Sequence, residues 1–348
     1  MFDRLKPGYY LLFAIVALQL VLIFPIGNAD LSLYFSLRGL TSVLIPAWAL
    51  FPLVWLAGVG VIAARRKVDH PLRAMRSMLH RNRAWLGRCM ILAVLLVTFA
   101  RSFTSYKTAI PKLVPYWADP NLIAWDRAIF GTDPWRLTHA IIGPLGTVVI
   151  DRIYTLWFMV MMLNLGWFCF TRDPRLQLRG LLTSCISWSL IGIVFATTFA
   201  SVGPCFYQHF YHDPHFAPLM ADLNEVHRDH MLFAVSSMQF LLDSYGRDTF
   251  GAGIAAMPSL HVAVAAMCFL ACYDYARSAW LKWAAGLFAL TIFVGSVHLG
   301  WHYVSDGIVG MALVTLVWWA TGRFVDWLDA RDQARLAGPK AKLLPATA

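Results

Sequence analysis

The sequence predicts an all-α, polytopic integral membrane helical bundle of about eight transmembrane helices, on three observations. Of 348 residues, 59% are hydrophobic and 14% are charged, whereas soluble chains hold about 45–50% apolar and about 25% charged residues. Apolar runs near the roughly 20 residues needed to cross ~30 Å of hydrocarbon recur along the whole chain. Basic residues gather beside these runs, so the net charge of +10 is read as a topology signal, and no nucleic-acid partner is expected.

The first run, Tyr9 to Ile26, follows Arg4 and Lys6 and has no small-residue cleavage pattern after it. It is expected to be a retained helix. Thr41 to Ala63 and Trp85 to Phe103 follow, separated by the basic stretch from Arg65 to Arg88. Ile153 to Phe170 and Leu181 to Ser201 flank Arg172, Arg175 and Arg179, and Leu260 to Tyr275, Trp280 to His298 and Gly307 to Phe324 complete the set. An N-terminus on the inside puts 20 of the 29 Lys and Arg residues on the cytoplasmic side, which predicts cytoplasmic N- and C-termini. The expected organisation is one membrane-embedded catalytic domain over residues 1–330, with core helices at roughly 153–324, and a cytoplasmic tail over 331–348. Two long outer segments, Thr104 to Arg152 and Val202 to Pro258, mix Pro, Gly and aromatic residues and read as interfacial or re-entrant pieces. Short loops and a compact chain point to a bacterial inner membrane, with the active site facing the periplasm or exterior.

The six cysteines are scattered singly, with neither a disulfide framework nor zinc spacing. The outer segment Phe206 to His230 holds five histidines and several aspartates, but at irregular spacing on a loop, so no metal and no other cofactor is expected.

Two stretches carry chemistry: Met257-Pro258-Ser259-Leu260-His261, and His298 through Trp301-His302-Tyr303 to Asp306. Each lies at the outer end of an expected span. Between them the chain runs inward through one apolar helix and returns through another, so an antiparallel hairpin brings His261 and His302 to one depth. His302 and Asp306 are four apart and share a helix face if the last span begins near them. A carboxylate there fixes the imidazole tautomer and stabilises an imidazolium. A nucleophilic histidine needs that help to present an unprotonated nitrogen to phosphorus, while a second histidine protonates the departing oxygen. Ionisable groups at membrane depth are costly, and the convergence of three favours function over hydrogen-bonding architecture.

At these residues the chain resembles the type 2 phosphatidic acid phosphatase superfamily, whose second motif reads Pro-Ser-Gly-His and whose third ends His-x-x-x-Asp. They stand here as Pro258-Ser259-Leu260-His261 and His302-Tyr303-Val304-Ser305-Asp306. Leucine in place of glycine, with Ala-Met before the proline, is most similar to the inositolphosphotransferase branch that includes inositol phosphorylceramide synthases. The resemblance implies His302 as nucleophile, Asp306 as its orienting carboxylate, His261 as general acid and Ser259 as a phosphate ligand. The chain departs from the pattern twice: Ser296 stands where an arginine is expected six residues before the nucleophile, and no Lys-x6-Arg-Pro occurs. Charge on the transferring phosphoryl group must still be balanced. Lys107 and then Arg152 are the leading outer-side candidates, with His298 a further lining residue.

The expected activity is transfer of a phosphoryl headgroup, phosphoinositol-like, between lipids through a phosphohistidine. The partners are a phospholipid or other lipid phosphate, an alcohol or ceramide-like acceptor, and the membrane itself. One alternative is a phosphatase acting on phosphatidic acid or a polyprenyl (di)phosphate with water as acceptor. Another, from a different class, is a proton-coupled transporter using the same His and Asp residues.

Overall fold

In lipid an apolar run can satisfy its backbone only within itself or in a closed barrel, and the sequence lacks the alternation a barrel strand needs. A computed structural model describes residues 6–23, 56–62, 64–246 and 253–336, and all regular elements among them are helical. They are α1 (Lys6–Ile23), α2 (Pro71–Leu113), α3 (Asp119–Phe130), α4 (Pro134–Ile141), α5 (Pro144–Thr155), α6 (Trp157–Phe170) and α7 (Pro174–Ser189). There follow α8 (Pro204–Tyr211), α9 (Ala217–His230), α10 (Phe233–Asp243), α11 (Leu260–Tyr275), α12 (Ala279–His298) and α13 (Val304–Leu336). Proline sets many of the starts: Pro71, Pro134, Pro144, Pro174 and Pro204 each open a helix, where the missing N–H costs nothing and φ is already helical.

Five described segments are long and apolar enough to cross a membrane: Pro71–Leu113, Pro144–Phe170, Pro174–Thr198, Ala279–His298 and Val304–Ala334. Lys6–Leu22 and Leu260–Tyr275 are shorter apolar helices. The expected run Thr41 to Ala63 lies mostly outside the described residues, which cover only a helical piece at 56–62 of it. Several helices outrun their apolar stretches. The 43 residues of α2 span about 64 Å at 1.5 Å per residue, so its basic first half projects past the hydrocarbon. The helix α13 runs on through residue 330 to Leu336. The segment Thr104 to Arg152 is also mostly helical, comprising the end of α2, then α3, α4 and most of α5.

The pair α11 and α12 forms the predicted hairpin, and α13 packs on α11. Small side chains on α11 (Ala263, Ala265, Ala266, Ala271) are buried and allow this close approach. Contact is tightest where a Cβ added at Gly310 of α13 would stand 2.5 Å from the Ser259 carbonyl oxygen. Around this trio stand α5, α6 and α7, with α1 and α2 further out. Polar side chains tie the apolar helices together: Gln19 Nε2 donates to Ser102 Oγ at 2.9 Å, and Ser189 Oγ donates to Gln19 Oε1 at 2.8 Å. At one end, Arg179 pairs with Asp274 at 2.9 Å and lies over the Trp318 ring. At the other, α3, α4, α8, α9 and α10 build a cap with its own apolar core, including Leu122, Phe216, Leu219 and Leu232. His261 and His302 lie under this cap.

Candidate active site

His261 is the second residue of α11, and Ser259 caps that helix, its Oγ accepting the Val262 N–H at 3.3 Å. His302 sits in the turn between α12 and α13, held by its backbone N–H donating to the Ser296 carbonyl at 3.0 Å. The two imidazole centroids are 5.8 Å apart. Asp306, fully buried in the first turn of α13, places Oδ2 3.4 Å from His302 Nδ1 and accepts the Tyr303 N–H at 3.0 Å. That separation is long for a hydrogen bond, and Nδ1 has no hydrogen-bond partner among the described residues.

Both imidazoles line a cavity of about 360 Å³. Its other walls are largely apolar and aromatic, with Trp157, Phe158, Phe206 and Phe240 among them. His261 is clasped between two rings, Trp157 at 4.2 Å and Tyr154 at 5.4 Å, and its carbonyl accepts the Trp157 indole N–H at 2.9 Å. Lys107, near the end of α2, lines the same space, and no ion pair joins it to a carboxylate among the described residues. The chain passes close over it at Gly253, where a Cβ would stand 2.5 Å from Lys107 Cγ.

The other candidates stand elsewhere. Arg152 is engaged with Asp151 at 2.7 Å and the Met231 carbonyl at 2.8 Å, and rests over Phe233. Ser259 lies behind its own helix start, outside the cavity wall, and Ser296 Oγ donates to the Phe293 carbonyl at 2.7 Å. His298 is buried between Thr138 at 3.0 Å and Thr147 at 2.9 Å, its ring tilted against that of His139 at 4.2 Å. The structure therefore gathers His261, His302, Asp306 and Lys107, and directs Arg152, Ser259, Ser296 and His298 to packing contacts. In the histidine-rich segment, His215 faces Asp133 at 3.1 Å and His227 Nδ1 accepts the Leu232 N–H at 2.8 Å.

Three buried aspartates hold the cap to the bundle: Asp119, which sequence reading left aside, and Asp126 and Asp151, each expected from adjacency to pair with the arginine that follows it. Asp119 accepts the Val202 and Gly203 N–H groups and the Tyr211 and Tyr303 hydroxyls, all between 2.8 and 3.1 Å. Asp126 accepts the Val304 and Ser305 N–H groups at 2.7 and 3.1 Å, capping α13 from α3. An adjacent Asp126–Arg127 pair is the local expectation, but Arg127 turns instead to Asp133 at 2.9 Å. Asp151 caps α10 through Phe233 and Ala234. Burial pushes the Asp119 and Asp126 carboxyls above their ordinary range, and the hydrogen bonds they accept pull the other way. Because Asp126 alone caps the helix that carries Asp306, Asp126→Ala is expected to cost about 1–2 kcal/mol, seen as a drop of a few degrees in Tm in detergent.

Residues 120–320, more than half of the chain, match the family described as the PAP2 superfamily. The chain belongs to the PAP2 superfamily. No curated protein and no solved structure matches it. Membership gives the chain the fold of the membrane phosphatases and phosphotransferases of that superfamily, and the match contains His261, His302 and Asp306. Lys107 and Asp119 lie outside it.

Proposed function

We propose that this PAP2 superfamily chain is a lipid phosphotransferase that works through a covalent phosphohistidine at His302. The observation that carries the reading is that two imidazoles, one backed by a buried carboxylate, face a single largely apolar cavity that also holds a lysine with no ion pair among the described residues. With Nδ1 turned to Asp306, Nε2 of His302 is the nitrogen that attacks phosphorus. The P–N bond forms as the bond from phosphorus to the leaving oxygen breaks, and His261 supplies that oxygen with a proton. In the second half an acceptor oxygen attacks phosphorus, the P–N bond breaks, and the acceptor's proton returns to His261. Lys107 offsets the charge on the phosphoryl oxygens.

The acceptor is an alcohol, in line with the inositolphosphotransferase-like Pro258-Ser259-Leu260-His261, and the donor is a lipid phosphate whose chains suit the aromatic wall. The distribution of Lys and Arg supports an extracytoplasmic site, because His261 and His302 occupy the bundle end opposite Arg179. The test supplies purified protein in detergent with lipids labelled at phosphorus, with and without inositol or a ceramide-like alcohol. Label moving into the added alcohol is the expected result. Label leaving only as inorganic phosphate makes the chain a phosphatase, and solute flux without phosphate chemistry would favour a transporter.

A further inference from the structure

His302 has a buried carboxylate beside it, but the imidazole of His261 has no hydrogen bond and no ion pair among the described residues. A general acid must still keep its N–H aimed at the leaving oxygen, since a misplacement of about 1 Å can cost about 10²-fold in rate. A histidine without a polar partner can change rotamer unless packing stops it. Ring packing is what His261 has. Trp157 lies 4.2 Å from it between centroids, and Tyr154 lies 5.4 Å from it at an interplanar angle of 28°.

The clasp is itself held in place. Tyr154 is buried against α12, where a Cβ added at Gly295 would stand 3.2 Å from its Cδ2. Trp157 is the first residue of α6, and its indole N–H donates to the His261 carbonyl at 2.9 Å. One side chain thus grips both the backbone and the ring of the same residue. A tryptophan that merely anchors the end of a span presents its N–H to headgroups and water. This one spends it on the first turn of α11. We propose that Trp157 is a positioning residue for His261, fixing through its indole N–H and its ring the direction in which the general acid delivers its proton. The proposal rests on the phosphotransfer reading of the same cavity. It concerns the first half of that reaction, in which the bond from phosphorus to the leaving oxygen breaks and that oxygen takes the proton of His261.

The test uses the full chain in detergent and compares the initial release of leaving group from two donors. One is a short-chain alkyl phosphate, whose oxygen needs a proton, and the other is nitrophenyl phosphate, whose oxygen departs without one. Trp157→Leu removes both ring and donor. It is expected to slow release from the alkyl donor about tenfold to hundredfold and from the aryl donor by less than about threefold. Trp157→Phe keeps a ring and loses the donor, so its alkyl-to-aryl ratio should fall between those of the parent and Trp157→Leu. Damage to packing or to the cavity lowers both rates together and leaves the ratio unchanged. That result overturns the assignment, as do parental rates on both donors. Should Trp157→Leu fail to fold, Trp157→Phe decides alone: a ratio clearly below that of the parent sustains the role, and a parental ratio overturns it. His261→Ala on the same two donors tests the underlying reading. If it loses no more on the alkyl than on the aryl donor, His261 is not the acid and the mechanism falls together with the proposal. If it shows the selective loss and the Trp157 variants do not, only the positioning role falls.

Discussion

His302→Ala is expected to reduce turnover by roughly 10⁴-fold or more, the scale seen when a covalent nucleophile is removed and only binding and electrostatics remain. The neighbouring variants should grade below it in ways that identify their roles. Asp306→Asn keeps the shape but donates where the carboxylate accepts, which favours the wrong tautomer of His302 and costs about 10²–10⁴-fold. His261→Ala removes the acid and costs about 10²–10⁴-fold on an alkyl leaving group, with recovery on an aryl phosphate whose oxygen departs without a proton. Chemical quench of the parent with labelled donor should trap an acid-labile, alkali-stable phosphoenzyme. That species should be absent from His302→Ala and should accumulate where acceptor attack is slowed. His302 is almost fully buried, so each variant also needs a Tm near that of the parent. A trapped phosphoenzyme that persists in His302→Ala would move the nucleophile elsewhere.

The parts of this protein governed by local rules were readable in the chain. Apolar length marked Trp280 to His298 as a span, and the helix found there is α12, Ala279–His298. The four-residue spacing brought His302 beside Asp306, although His302 stands in the turn just before α13 begins at Val304 rather than on the helix itself. What escaped was set by tertiary placement. The adjacent Asp151 marks Arg152 for a local ion pair, which forms, whereas only the fold brings Lys107 into the cavity wall. Asp126 beside Arg127 looks like an interfacial ion pair until the cap brings it to the start of α13, 178 residues away. Tyr154 was hidden for a similar reason, since its apolar run gives no sign that its ring will lie on His261. A signal did exist for the aspartates: four acidic residues between Thr104 and Arg152, among many apolar ones, call for partners when buried, and unpaired backbone N–H groups at new helix starts are the common ones.

Removal of Asp119 should be the most damaging change outside the reaction centre. One carboxylate there satisfies four donors from three separate stretches: the backbone N–H groups of Val202 and Gly203, and the hydroxyls of Tyr211 and Tyr303. The hydroxyls can turn away, but the two N–H groups are fixed by the chain and buried. Each donor left without a partner costs about 1–3 kcal/mol, so Asp119→Ala is expected to lose about 2–6 kcal/mol against a typical total of about 5–15 kcal/mol. Asp119→Asn should fall between, because its one carbonyl oxygen can still accept while its NH₂ confronts donors. Tyr303→Phe should cost only about 1 kcal/mol. The damage reaches the chemistry as well, since Tyr303 follows His302 directly and its own N–H donates to Asp306. Thermal unfolding in detergent, read with phosphate transfer on the same samples, should rank the three as Ala, Asn and Phe from worst to mildest. A Tm for Asp119→Ala within about 2 °C of the parent, under the shift that about 2 kcal/mol or more implies, would show that the cap is held by its apolar core instead.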